Sequence, residues 1–367
     1  MRIAFDLDAA LRNRYSGFYT FASGLLHGMN SIDTRPEMIL FYQKRFEGLA
    51  TTLMKGLGSW AEAKPCIYKF RWLQTIWKFL PVPSLRSLVG DFELYHCFHH
   101  FMPPREKRPT LMTVHDLRRY IHPGLYPKSN LRPFEIAVKR ARHFIAISEE
   151  TKKDLCRIFD IEPDKIHVVH LACSLDIPQL SSRQLKEMRH ALLAKYGLSF
   201  EKYLVSFSSK DRRKNVERTI EAFHAALPEL PRDTGLVILG RLPSSFSVRS
   251  RHVFTPGPVD DIISWLICAN GLIFVSLYEG FGLPILEGFK AGIPVVTSNC
   301  SSMPEVAGGA AVLVDPYDIR KIREAIKTII LDDHMVQDLV SRGKKRLRDF
   351  SWEKTAAKTV EVYKRLL

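Results

Sequence analysis

The sequence predicts an α/β chain made of two doubly wound parallel sheets, on three observations. Short, near-continuous apolar runs alternate with longer amphipathic segments. The runs fall into two series parted by a polar stretch. The chain has 367 residues, room for two domains at ~150 residues each.

The first series is RIAFDL (2–7), MILFYQ (38–43), FELYHCF (92–98), TLMTVHD (110–116), HFIAIS (143–148) and HVVHL (167–171). Apolar runs of this kind suit strands covered on both faces. Helical periodicity fills the gaps, as in SEETKKDLCRIF, which argues for βαβ units. The stretch 172–200 breaks the rhythm and carries Pro178, so a boundary is placed there, between domains at 1–175 and 195–350. The second series is YLVSFS (203–208), GLVILG (235–240), HVFTPG (252–257), GLIFVS (271–276) and PVVTS (294–298), with NVERTIEAFHAAL as an intervening helix. Ser351 to Leu367 reads as an amphipathic helix with Ser351 as N-cap and Glu353 in the first turn.

Composition narrows the class. At 46% hydrophobic and 25% charged, the chain is neither disordered nor fibrous. A net charge of +15 attracts anions: nucleic acid, an anionic membrane surface or phosphorylated small molecules. The six cysteines are scattered, which points to reduced thiols in a cytosol. No Cys or acidic residue stands at zinc-site spacing beside His96, His99 and His100, so no metal is expected. Asp6 and Asp8 interrupt the first apolar run, which excludes a secretory signal peptide. No stretch reaches the ~18 apolar residues of a spanning helix.

In open α/β sheets, ligands bind beyond the carboxyl ends of strands. The richest such stretch is VSLYEGFGLPILEGFKAGIPVVTSNCSSMPEVAGGAAVLVDP (275–316). A strand ends before Glu279, Gly280 and Gly282 free the backbone, and Pro284 suits the first turn of a helix. The amides of Gly282, Leu283 and Ile285 are expected to point out of that helix as a phosphate site. Glu279 and Glu287 flank it and suit sugar hydroxyls rather than phosphate. The ligand implied is a sugar joined to a diphosphate. The bland reading makes Glu279 a helix cap and Glu287 part of a solvated face. The dinucleotide fingerprint does not fit, because its third glycine position holds Ile285.

Glu279, seven residues, then Glu287, set in YEGFGLPILEGFKAGIPVV, resembles the signature of the retaining family 4 of nucleotide-sugar glycosyltransferases. SSMPEVAGGAAVLVDP, SGFYTFASGLL, TVHDLRRYIHP, FIAISEETKKDL and FSWEKTAAKTVEVYKRLL are similar in the same order. The likeness covers most of the chain and is weakest across 45–90 and 172–200. It implies the GT-B architecture: two Rossmann-like domains facing a cleft, with the helix 351–367 crossing back to the N-terminal domain. It also implies that the C-terminal domain holds a nucleotide sugar and the N-terminal domain shapes the acceptor site. By the same resemblance Glu279 binds donor-sugar hydroxyls, Glu287 the ribose, and the Gly282 and Leu283 amides the phosphate or sugar.

Other residues join on position and likeness together. His115 follows the strand TLMTV and, by resemblance, touches the transferred sugar; the bland reading is a turn cap with Asp116. Arg212, Arg213, Lys214 and Asn215 follow YLVSFS, where cations can neutralise a diphosphate. Lys214 matches the family's phosphate-binding lysine; the run SSKDRRKN departs from the family's pattern and leaves the arginine role open between Arg212 and Arg213, with Arg213 taken as the site residue. Gly17, in the turn after the first strand, would let a helix N-terminus approach phosphate or acceptor. Glu305 reads as a structural acid supporting its loop. The stretch 68–83 mixes Lys69, Arg71 and Lys78 with Trp72, Trp77 and Phe79. It reads as an amphipathic core helix or as a face lying on an anionic membrane.

The expected activity is retaining transfer of a hexose, with mannose the best single choice. The donor is a nucleotide diphosphate sugar and the acceptor a glycan or lipid-linked hydroxyl in cell-surface polysaccharide or lipopolysaccharide synthesis. No cofactor beyond the donor and no nucleic-acid partner is expected. The enzyme is placed in the cytoplasm or at the inner face of the membrane. The alternatives are another GT-B activity, such as a sugar-nucleotide epimerase or a phosphorylase, and a basic nucleic-acid-binding protein.

Overall fold

A computed structural model describes residues 1–12, 17–97, 101–104, 106–126, 131–243 and 250–367. His99 and His100 of the histidine cluster lie outside them, as does Ser16 before Gly17. The chain divides into two compact units, Met1–Ser174 with Phe350–Leu367, and Leu175–Asp349.

The first unit holds strands β1 (Arg2–Asp6), β2 (Glu37–Gln43), β3 (Ala61–Cys66), β4 (Leu94–Cys97), β5 (Thr110–Val114), β6 (His143–Ala146) and β7 (Ile166–Val168). They form one sheet in the order β3-β2-β1-β4-β5-β6-β7. Every neighbouring pair is parallel, which requires a crossover between successive strands. β3 has no counterpart among the apolar runs. As an edge strand it is largely exposed and carries Glu62, Lys64 and Pro65, so it shows no hydrophobic pattern. Under the sheet, Phe41, Phe70, Trp77, Tyr95 and Phe101 make an aromatic core, with the Phe70 and Phe101 rings stacked at 3.8 Å.

The helix Trp352–Leu366 belongs to this unit and lies along the helix Gly17–Asn30. Ser351 accepts from the Lys354 amide at 3.2 Å, so the expected N-cap forms. Trp352 rests where a Cβ on Gly24 would collide with its ring and one on Gly28 with its backbone. Two glycines one helical turn apart therefore make the seat for this tryptophan. The fully buried His96 places its ring nitrogens 2.7 Å from the Tyr363 hydroxyl and 2.7 Å from Thr113 Oγ1. Its burial has a packing explanation.

The second unit holds β8 (Lys202–Ser208), β9 (Thr234–Gly240), β10 (Val253–Gly257), β11 (Gly271–Phe274), β12 (Val295–Ser298) and β13 (Val312–Val314), ordered β10-β9-β8-β11-β12-β13 and all parallel. The short edge strand β13 is again absent from the apolar runs. The segment expected to be a linker contains a helix, Ser182–Lys195, that opens this unit with a capping box from Ser181 and Gln184. Among the described residues, no helix is long and apolar enough to cross a membrane.

Candidate functional site

In the second sheet the strand order reverses between β8 and β11. The loops leaving their carboxyl ends therefore meet at a topological switch point, the place where open α/β sheets take ligands. The β8 loop turns through Arg212–Lys214, a short 3₁₀ turn capped by Asp211, whose Oδ1 accepts from the Arg213 amide at 3.0 Å. Asn215 closes it in the left-handed region (φ 56°). Its buried side-chain amide donates to the carbonyls of Val275 and Pro316 at 3.0 and 2.7 Å, which fixes the β8 loop to the β11 loop.

That junction brings together three charges from residues 65 apart in sequence. Lys214 Nζ donates to Glu279 Oε1 at 2.8 Å. Arg213 Nη1 pairs with Glu279 Oε2 and donates to the Tyr278 carbonyl, while its Nε reaches Asp211 Oδ2 at 3.2 Å. Burial alone would push the Glu279 carboxyl up, but Lys214 and Arg213 more than offset it and hold it at about 2. Glu279 is therefore ionised at any working pH. Burial also lowers the Lys214 ammonium, against the pull of Glu279. Arg213 is turned inward, its guanidinium engaged with protein groups, whereas Arg212 is exposed and lies 3.7 Å from Glu217.

After Glu279 the chain passes Gly282 at φ 106°, a conformation only glycine adopts without strain, and enters the helix Leu283–Ala291. The amides of Gly282 and Leu283 have no acceptor among the described residues. The expectation for Ile285 is corrected: its N–H donates to the Gly282 carbonyl at 3.0 Å, because the first turn tightens to an i→i−3 bond. Two amides rather than three are left without an acceptor among the described residues.

Glu287, one turn into the helix, is half-buried, and no described residue bonds its carboxyl. Burial raises it to about 7, partly offset by Lys214. A desolvated carboxyl without a protein partner is suited to accept hydroxyl hydrogen bonds.

Two residues from the sequence reading sit in the first unit. His115 follows β5, its ring in edge contact with Phe18 and Phe21 at 4.6 and 5.1 Å. Burial, with the Arg118 charge, lowers it to about 3, so it is a neutral imidazole at physiological pH. Gly17 heads the helix that carries both phenylalanines, and a Cβ there would meet open space.

Two family profiles match the chain: "Glycosyltransferase Family 4" over residues 61–176 and "Glycosyl transferases group 1" over 201–332. Together they span most of its length. The chain is a family 4 glycosyltransferase of group 1. It is 29% identical to the O-antigen chain mannosyltransferase B of Escherichia coli over 74% of each chain. The serotype-specific mannosyltransferase WbdA of E. coli is 27% identical over 78% of this chain, but the match spans only 37% of WbdA. The Anabaena protein HepE, solved with UDP and glucose, superposes with a TM-score of 0.72 over 99% of both chains at 15% identity. The fold of this glycosyltransferase is therefore GT-B.

The loop cluster is also held by residues that stand outside the sequence expectations. Ser301 Oγ and Ser302 Oγ both donate to the Glu279 carbonyl, at 2.6 and 2.8 Å, and Ser302 also donates to the Phe281 carbonyl. Ser301 holds a left-handed conformation (φ 55°) to do so. These serines brace the loop that presents Glu279 and Gly282. Asp211 clamps Arg213 as described. Their only sequence signal is proximity to strand ends. Glu305 is half-buried on the next short helix, where its carbonyl accepts from Arg346 at 2.6 Å.

Proposed function

We propose that this glycosyltransferase moves a hexose, mannose by its relatives' activities, from a nucleotide diphosphate sugar to a hydroxyl of a glycan or lipid-linked acceptor. The product belongs to a cell-surface polysaccharide or lipopolysaccharide, and the enzyme works in the cytoplasm, where a lipid-linked acceptor would hold it at the inner face of the membrane. The observation that carries the reading is the cluster at the β8–β11 switch point. It sets a half-buried lysine and two acceptor-free amides beside an ionised glutamate. Lys214 and the amides of Gly282 and Leu283 neutralise the diphosphate as it leaves. Glu279, fixed by Arg213, accepts hydroxyls of the donor sugar with the lone pairs its cations leave open, and Glu287 accepts the ribose hydroxyls. Arg213 acts by positioning Glu279. His115, a neutral imidazole, hydrogen-bonds the transferred sugar.

The acceptor oxygen attacks the anomeric carbon from the face the diphosphate leaves, through a loose, oxocarbenium-like transition state, with retention. The acceptor proton passes to the departing diphosphate. No protein nucleophile is needed, and no cofactor enters beyond the donor. Titration calorimetry against GDP-mannose, UDP-glucose, UDP-galactose and UDP-N-acetylglucosamine tests the donor, with tightest binding expected for GDP-mannose. K214A is expected to lower kcat about a hundredfold in a protein that still folds. Near-normal turnover in K214A would refute the assigned phosphate role.

A further inference from the structure

The stretch 67–82 resolves the two readings of its aromatic and basic residues by splitting them. The helix Phe70–Ile76 continues as turns to Leu80, whose amide donates to the Ile76 carbonyl. At about 3.6 residues per turn, three faces follow. Phe70, Leu73 and Trp77 enter the core. Arg71, Gln74, Thr75 and Lys78 line a cavity of about 480 Å³ shared with the helix Arg132–Arg140. Tyr68, Trp72 and Phe79 take the third face, next to the basic one, with the Tyr68 and Trp72 rings stacked at 5.4 Å.

Both outward faces are unusual. Among the described residues, eleven large hydrophobics are exposed, and six of them fall between Ile67 and Val82. Phe79 is 81% exposed and Trp72 49%. Apolar surface this concentrated marks a contact surface. The cavity beside it is lined by Arg71, Lys78, Arg132 and Arg140, with no carboxylate in its described lining. Arg140 donates to the carbonyls of Trp77 and Met102, at 3.0 and 3.2 Å, which leaves its charge uncompensated. Among the described residues, no carboxylate lies within ion-pairing distance of Lys69, Arg71 or Lys78. Aromatic rings and aliphatic side chains beside uncompensated cations match one surface chemistry closely: rings at headgroup depth, cations against lipid phosphates. A nucleic acid would use the cations but not Leu80 and Val82.

The geometry points to this face as the docking surface for an anionic phospholipid bilayer. Trp72, Phe79 and Leu80 enter the interfacial layer, and a lipid phosphate sits among Arg71, Lys78 and Arg140. The surface contains none of the donor-site residues, so it stands whichever sugar is transferred.

Flotation of the whole protein tests it without any donor. Vesicles of phosphatidylcholine with phosphatidylglycerol should carry the protein, and vesicles of phosphatidylcholine alone should not. R71Q and K78Q should each weaken partitioning about fivefold. F79A combined with W72A should weaken it further and abolish what survives at high salt. These side chains are exposed, so the variants should melt like the parent. Equal partitioning on neutral vesicles, or flotation of the R71Q/K78Q variant at the parent's level, overturns the proposal. Capture by a single-stranded oligonucleotide with no flotation does so too.

Discussion

The two units share one scaffold but fill their switch points with opposite electrostatics. Both sheets reverse their strand order at the same place, between β1 and β4 in one and between β8 and β11 in the other. In the first unit, β1 ends in Asp6 and is followed by Asp8, both buried. One cation, Arg12, pairs with Asp8, which also accepts from the Gln43 side chain at 2.7 Å. Burial and the neighbouring Asp8 charge drive Asp6 well above the usual carboxylate range. In the second unit two cations converge on Glu279, and the carboxyl is held near 2. Asp6 has no ion pair of its own among the described residues, whereas Glu279 is held between two cations. The fold supplies a place, and the charges that face each carboxyl decide its state there.

Removing a cation from the richer site should give the largest effect. R213A strips Glu279 of one partner and Asp211 of its own, with all three side chains largely buried. The expected loss is about 3 kcal/mol of unfolding free energy, measured in urea. A loss no greater than an exposed ion pair gives would mean that the cluster is not cooperative.

Glu287 gives the next effect, through binding. Its carboxyl sits at about 7, above the ordinary value of 4.5, so it gains its charge as pH rises through neutrality. The charged form is the better acceptor for hydroxyls. Nucleotide-sugar affinity should therefore rise about tenfold from mildly acidic to mildly alkaline pH, and E287Q should flatten that rise. Titration calorimetry across the range reads it directly, and a pH-independent affinity in the parent protein counts against Glu287.

The smallest effect is expected in the first unit. A carboxyl whose folded pKa lies above its unfolded one costs stability increasingly as pH climbs past the ordinary aspartate range. D6N should remove that cost, stabilising the protein at neutral pH and leaving it unchanged in acid. Destabilisation by D6N at neutral pH would show that Asp6 is needed in its charged form and erase the contrast between the units.

Legibility in the sequence followed burial. The inner strands of both sheets show as apolar runs because both their faces are covered, whereas the edge strand β3 is largely exposed and carries no such pattern, and β13 is only three residues long. Glu279, Glu287 and Gly282 stand out because a strand end, two glycines and a proline converge within a few residues. The pairing of Glu279 with Lys214 spans 65 residues, and like that with Arg213 it is set by strand order, which no local pattern encodes. The same holds for Ser301 and Ser302, ordinary loop residues until β12 delivers them beneath the Glu279 carbonyl. The Ile285 amide departs from the expectation because a helix terminus can satisfy its own donors by tightening.

Residues 350–367 lie beyond the whole second unit in the chain, yet they complete the first. Trp352 fills the notch over Gly24 and Gly28, and Tyr363 reaches the interior histidine. During synthesis, the unit that emerges earlier must wait, its notch open and His96 short of a partner, until the other unit has left the ribosome. A premature stop within the second unit would thus damage both.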